Sequence, residues 1–112
     1  MKIAIPLAGG KLTPHFGHCE SFALLDVDEA DRKIEKREDV AAPPHQPGLL
    51  PGWLHSLGVT MIIAGGMGVR AQDLFVQMNI KVLVGAPSRK PEDLVSAWMD
   101  KTLVLGGNVC DH

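Results

Sequence analysis

Val59-Thr60-Met61-Ile62-Ile63-Ala64-Gly65-Gly66-Met67-Gly68-Val69-Arg70 is the stretch that decides the fold. Its first six residues are almost continuously apolar, which is the pattern of a strand buried on both faces. Gly65-Gly66-Met67-Gly68 then breaks the strand and opens a helix to about Asn79, where Ala71, Leu74, Phe75 and Met78 recur at i, i+3, i+4 and i+7. Ile80 to Val84 reads as another buried strand. A buried strand, a helix and a second buried strand predict a parallel crossover in a sheet flanked by helices.

Downstream, Pro91 suits a first helical turn, and Glu92 and Asp93 suit the positive end of the helix dipole. Leu94, Val95 and Trp98 are its inward face, and Leu103 to Leu105 reads as a short edge strand. Upstream, Leu50, Trp53, Leu54 and Leu57 share one face of a short helix stopped at Gly58. Ala41 to Gly52 holds prolines at 43, 44, 47 and 51, which excludes a continuous helix or a central strand. Lys2 to Leu7 reads as a strand ended by Pro6 or by Gly9-Gly10. Ser21 to Asp28 and Lys33 to Val40 read as an antiparallel pair turning at Glu29-Ala30-Asp31-Arg32. Between the first two strands, Ala8 to Glu20 is a long loop, a common carrier of function. The expectation is one α/β domain over 1–112, a mixed sheet of about five strands flanked by helices.

The totals narrow the function. The chain has 112 residues, 46% of them hydrophobic, with a net charge of -2. That balance argues against a nucleic-acid binder, which needs a basic face. There is no apolar run near the ~18 residues that span a bilayer, and the opening Met1-Lys2-Ile3-Ala4-Ile5-Pro6 lacks the features of a signal peptide. The protein reads as cytoplasmic and without a membrane partner. In that reducing compartment Cys19 and Cys110, far apart in sequence, read as thiols rather than as a disulfide.

Three groups of residues carry chemistry. In Thr13-Pro14-His15-Phe16-Gly17-His18-Cys19, two imidazoles and one thiol lie within five residues. They are borderline and soft donors suited to zinc, copper or iron, although the spacing matches no closed zinc site. The competing reading makes one histidine a strand cap and Cys19 a small buried apolar residue. The terminal Cys110-Asp111-His112 offers three more donors behind two glycines, against the general tendency of chain ends to carry no constraint. The turn Gly65-Gly66-Met67-Gly68 with Arg70 places backbone N–H groups, a helix dipole and a cation where an anion can approach. It is neither a nucleotide phosphate loop nor a dinucleotide fingerprint, so a plain tight turn stays open beside it. His45 and His55 depend on whether the proline-rich loop folds over the same crevice. No nucleophile elbow and no paired carboxylates at buried strand ends are present, so the residues point to binding rather than catalysis.

Met1-Lys2-Ile3-Ala4-Ile5-Pro6, His15-Phe16-Gly17, Ile62-Ile63-Ala64-Gly65-Gly66-Met67-Gly68 and Ile80-Lys81-Val82 occur in an order that closely resembles the dinitrogenase iron–molybdenum cofactor-binding family. The ending Asn108-Val109-Cys110-Asp111-His112 resembles its small stand-alone members from anaerobes. The resemblance implies a ribonuclease H-like mixed sheet without nuclease activity. It implies a non-enzymatic carrier of a metal–sulfur cluster held without a covalent link. The cluster is of molybdenum–copper–sulfur or related iron–molybdenum or iron–sulfur type. A P-loop ATPase of the Mrp/MinD-like kind is the implied partner. The matched positions are His15, the Gly65–Gly68 turn and the variable loop holding His45, while Lys11, His18 and Cys19 replace the family's acid-rich first loop. The cofactor-binding set is therefore His15, Cys19, His45, Gly65, Gly66, Met67, Gly68 and Arg70, with His15, His18, Cys19, His45, Cys110 and His112 as metal ligands. The alternative is a regulatory or scaffold module that binds an anionic small molecule or a partner protein.

Overall fold

The computed structural model describes residues 1–44 and 48–106. Its strands are β1 (Lys2–Ala8), β2 (Lys11–Leu12), β3 (Ser21–Asp28), β4 (Lys33–Ala41), β5 (Met61–Ile63) and β6 (Lys81–Leu83). Its helices are α1 (Leu49–Ser56), α2 (Val69–Gln77) and α3 (Pro91–Met99). The six strands form one mixed sheet in the order β4-β3-β1-β5-β6, with β2 paired to the end of β1. β1 runs antiparallel to β3 and parallel to β5, and β5 runs parallel to β6. The antiparallel front and parallel back predicted from sequence are both present.

β1 does not stop at Pro6. Its neighbour on one side changes from β5, opposite Ile3 and Ala4, to β2, opposite Leu7 and Ala8. Pro6 sits at that change, where the missing N–H breaks no ladder, and its carbonyl accepts from Thr13 N–H at 3.0 Å. The Gly9-Gly10 turn, both residues at positive φ, makes the hairpin possible. Leu103 to Leu105 forms no strand: Leu103 N–H donates back to the Ala97 carbonyl of α3 at 3.1 Å, and the next residue, Gly106, donates its N–H to the Gly85 carbonyl.

The two faces of the sheet are separate cores. Ile3, Ile5, Leu25, Met61 and Ile63 pack under Leu94 and Val95 of α3. Ala4, Phe22, Leu24 and Ile62 pack under Leu54 of α1 and Phe75 of α2. Pro51 is tolerated in α1 because it lies in the first turn, whose N–H groups have no intrahelical acceptor. No helix among the described residues is long and apolar enough to cross a membrane.

β4 is an edge strand, and its charges give one cross-element clamp. Arg37 Nη1 donates to Glu92 of α3 at 2.7 Å, and Arg37 Nε donates to Asp39 at 2.8 Å. The Arg37 guanidinium holds the Glu92 carboxyl below the usual glutamate range. A carboxyl with a lowered folded pKa contributes stability above its unfolded pKa and loses it as pH falls through the folded value. The pair is well exposed, so that contribution is about 0–1 kcal/mol. Glu92→Gln is expected to cost that amount at neutral pH and progressively less as the pH falls below the usual glutamate range, read by denaturant midpoints across that range.

Candidate functional site

The loop after β2 is tied to the glycine turn after β5. Gly66 N–H donates to the Pro14 carbonyl at 2.7 Å, and Phe16 N–H donates to the Gly66 carbonyl at 2.9 Å. His15 thus lies opposite Gly66 as a parallel bridge. The buried Thr13 braces the bend, its hydroxyl donating to the His15 carbonyl at 3.2 Å. Gly65 has to be glycine here, because a Cβ would stand 2.9 Å from the Thr13 carbonyl and 3.1 Å from that of Pro14. The loop and the turn therefore form one unit that aims Phe16 across the sheet.

Phe16 lies edge-on to Phe75, with ring centroids 5.6 Å apart, and tilted against Phe22 at 6.2 Å. Those contacts fix one wall of a cavity of about 330 Å³. Gly17 and Cys19 continue that wall, Arg70, Ala71 and Leu74 of α2 form the second, and the segment Ala42–Pro44 with Gly48, Leu50 and Pro51 forms the third. Arg70 is the only charged residue among the described lining residues, and none of them is a carboxylate. It sits in the first turn of α2, whose cap, Gly68, supplies no side chain to the leading N–H groups. Helix dipole, unsatisfied N–H groups and guanidinium all favour negative charge at this rim. The Gln72 amide, bonded to the Met67 carbonyl at 2.9 Å, holds the turn against the helix.

Cys19 is half-buried in the cavity wall. Burial pushes its thiol up, and its backbone hydrogen bond offsets only part of that. The thiolate fraction at neutral pH is correspondingly small. Iodoacetamide is expected to label Cys19 in the metal-free protein more slowly than it labels glutathione at pH 7.5, and the gap should narrow as pH rises. Peptide-resolved mass spectrometry over time reads both.

The structure brings Cys19 and Arg70 together in one cavity. Gly65, Gly66, Met67 and Gly68 are not among its lining residues. His15 is exposed beside the cavity rather than in its lining, and His55 is exposed on the last turn of α1. His45, Cys110 and His112 lie outside the described residues, as does the side chain of His18. Among the described residues no three His, Cys, Asp or Glu side chains converge in a way that holds a metal ion. The apolar walls were not foreseen: Leu74 reads as core by periodicity, and the prolines read only as helix breakers. An aromatic set inside the His–Cys loop, Phe16, was the one available signal.

Residues 1–101 match the family described as dinitrogenase iron-molybdenum cofactor. The chain belongs to that family. A Methanocaldococcus jannaschii protein, MJ0580, is 31% identical over 85 residues, covering 73% of this chain and 72% of its own. The crystal structure of PH0822 superposes with a TM-score of 0.86 at 25% identity, covering 94% of both chains. The apo form of the orange protein from Desulfovibrio gigas superposes with a TM-score of 0.73 at 21% identity, covering 96% of this chain and 93% of the other. Membership relates the chain to the iron–molybdenum cofactor, and the likeness to the orange protein is one of fold.

Proposed function

We propose that this family member is a non-enzymatic carrier of a preassembled, anionic metal–sulfur cluster, molybdenum–copper–sulfur or iron–molybdenum in type, seated in the cavity between α1 and α2. The observation that carries the reading is the make-up of the cavity's described lining: one cation, one thiol, a helix N-terminus, apolar walls and, among those residues, no carboxylate. A bare divalent cation would need several converging donors, which the described residues lack. A sulfide-faced anion needs less, because its charge meets Arg70 and the α2 N–H groups while its polarizable faces rest on Phe16, Leu50 and Leu74. Cys19 is the soft donor within reach of copper or another thiophilic metal. The cluster is cargo, loaded in a reducing cytoplasm and passed on, with a P-loop ATPase of the Mrp/MinD-like kind as the proposed partner in transfer.

Anaerobic titration of the metal-free protein with tetrathiomolybdate and copper(I), followed by desalting, tests this. Visible charge-transfer bands that stay with the protein at a fixed metal ratio are the expected result. Complete loss of both metals on desalting would sink the carrier reading. It would favour the scaffold reading, which the mainly apolar lining also supports: an organic anion with an apolar body would fill the same space.

A further inference from the structure

The two edges of the sheet are built differently. β4 carries Lys33, Glu35, Lys36, Arg37, Glu38 and Asp39, and its pairing with β3 shifts register beside Asp26. Charges and bulges are the usual defences of an edge against another strand. β6, the opposite edge, has one lysine and no bulge. Lys81 N–H donates to the Thr60 carbonyl at 3.0 Å, and the Leu83 carbonyl accepts from Ala64 N–H at 2.8 Å, so these alternate residues bond towards β5. Val82 and Val84 therefore turn their N–H and carbonyl groups outward. Among the described residues no strand lies beyond them.

The same edge gathers exposed apolar side chains. Val69, Val76, Val104 and Leu105 are four of the five large hydrophobics exposed among the described residues. Leu74 lines the cavity with α1, and the Met78 methyl approaches Gly52 of α1. Val76 is two residues from each, which puts it on the opposite side of α2, and Val69 shares that face. Since α2 packs on β6, both valines overhang the free edge. Val104 and Leu105 precede Gly106, whose N–H reaches the Gly85 carbonyl just past β6. Contiguous apolar surface of this kind marks a protein contact.

We propose that this edge is the contact between two copies of this chain, β6 pairing antiparallel with β6 about a twofold axis at Leu83. In that register Val82 of each copy faces Val84 of the other, and every outward N–H of these residues meets an outward carbonyl. Lys81, the one charge on the strand, falls opposite Gly85 rather than opposite its own kind. The two α2 helices come side by side on one face of the joined sheet, with Val69 and Val76 of each against the other. An edge that is apolar and almost uncharged complements itself, whereas a strongly charged partner would find little to pair with. The cavity lies on the far side of α2, towards α1, so the contact leaves it open and does not depend on what it carries.

Sedimentation equilibrium of the full chain over a dilution series is the test. The pairing is short, so a dimer is expected at high concentration and a monomer after dilution, with the Val82 and Val84 amides exchanging more slowly in the dimer. Val76→Lys is expected to weaken dimerisation at least about tenfold, because it sets cations into the apolar seam. Val76 is 62% exposed, so that variant keeps the fold. Val84→Pro is expected to abolish dimerisation, since it removes an outward N–H that bonds to nothing among the described residues and proline is tolerated on an edge. A chain that stays monomeric up to its solubility limit, leaving the edge to a different protein, overturns the proposal. A dimer that both variants form as well as the wild type overturns it too, because the contact then lies elsewhere.

Discussion

Arg70→Glu is expected to abolish retention of a thiomolybdate–copper cargo while leaving the fold intact. Arg70 is exposed, in the first turn of α2, and is the one charge among the described cavity lining. Two unit charges about 4 Å apart near a protein surface interact by about 4 kcal/mol. Reversing the sign should weaken retention at least about 100-fold, since each 1.4 kcal/mol or so is tenfold. The helix should not suffer, because a carboxylate in the first turn suits its dipole. Arg70→Lys should fall between, keeping the charge and losing the planar donors. Metal analysis after desalting, beside a melting curve for each variant, separates lost binding from lost structure. Equal retention by wild type and Arg70→Glu would show that the cargo does not sit at this rim.

Gly65→Ala is expected to be the most damaging single-methyl change at the site. The added Cβ would meet three backbone atoms at 2.9–3.2 Å, the carbonyl oxygens of Thr13 and Pro14 and the Pro14 Cα. Backbone cannot rotate aside as a side-chain tip can. Overpacking of this kind costs about 1–3 kcal/mol. In a domain near this size each kcal/mol lowers the melting temperature by roughly 4–8 °C. The relief available is for the 13–16 loop to lift off the turn, which breaks the Gly66 bridge and moves Phe16 from the cavity wall. Retention should therefore fall with stability. Gly17→Ala is the control, because nothing lies within 4 Å of the position its Cβ would take. Thermal melts that leave Gly65→Ala and Gly17→Ala indistinguishable would mean that the close approach does not hold the loop.

Much of the fold was legible because burial writes a simple pattern. The apolar run 59–64 and the i, i+3, i+4, i+7 spacing of α2 carried the crossover, and Pro91 with Glu92 and Asp93 marked the start of α3. β2 was not legible: two residues pairing with β1 leave no periodicity, and they matter only as the change of neighbour that lets Pro6 stay in a central strand. Leu103 to Leu105 shows the opposite failure. Apolar residues looked like a strand, yet Val104 is 78% exposed and the segment makes its one strand-like bond at Gly106.

At the site, residue chemistry was easier to read than residue position. Arg70 and Cys19 meet in space because the Gly65 approach locks two distant loops together, a steric fact invisible in one dimension. His15 shares that lock through its backbone, and its side chain is exposed beside the cavity lining rather than in it. The cavity walls escaped notice because Leu50, Pro51 and Leu74 look like any other core or turn residues until the space between α1 and α2 is known.

The central claim is that the cargo occupies the cavity between α1 and α2. The most direct measurement is an amide chemical-shift map of isotopically labelled protein, recorded anaerobically before and after loading with tetrathiomolybdate and copper(I). The largest shifts are predicted at Phe16 to Cys19, Ala42, Gly48 to Leu50 and Val69 to Leu74. Largest shifts instead on the α3 face, around Glu29, Trp98 and Lys101, would contradict the account.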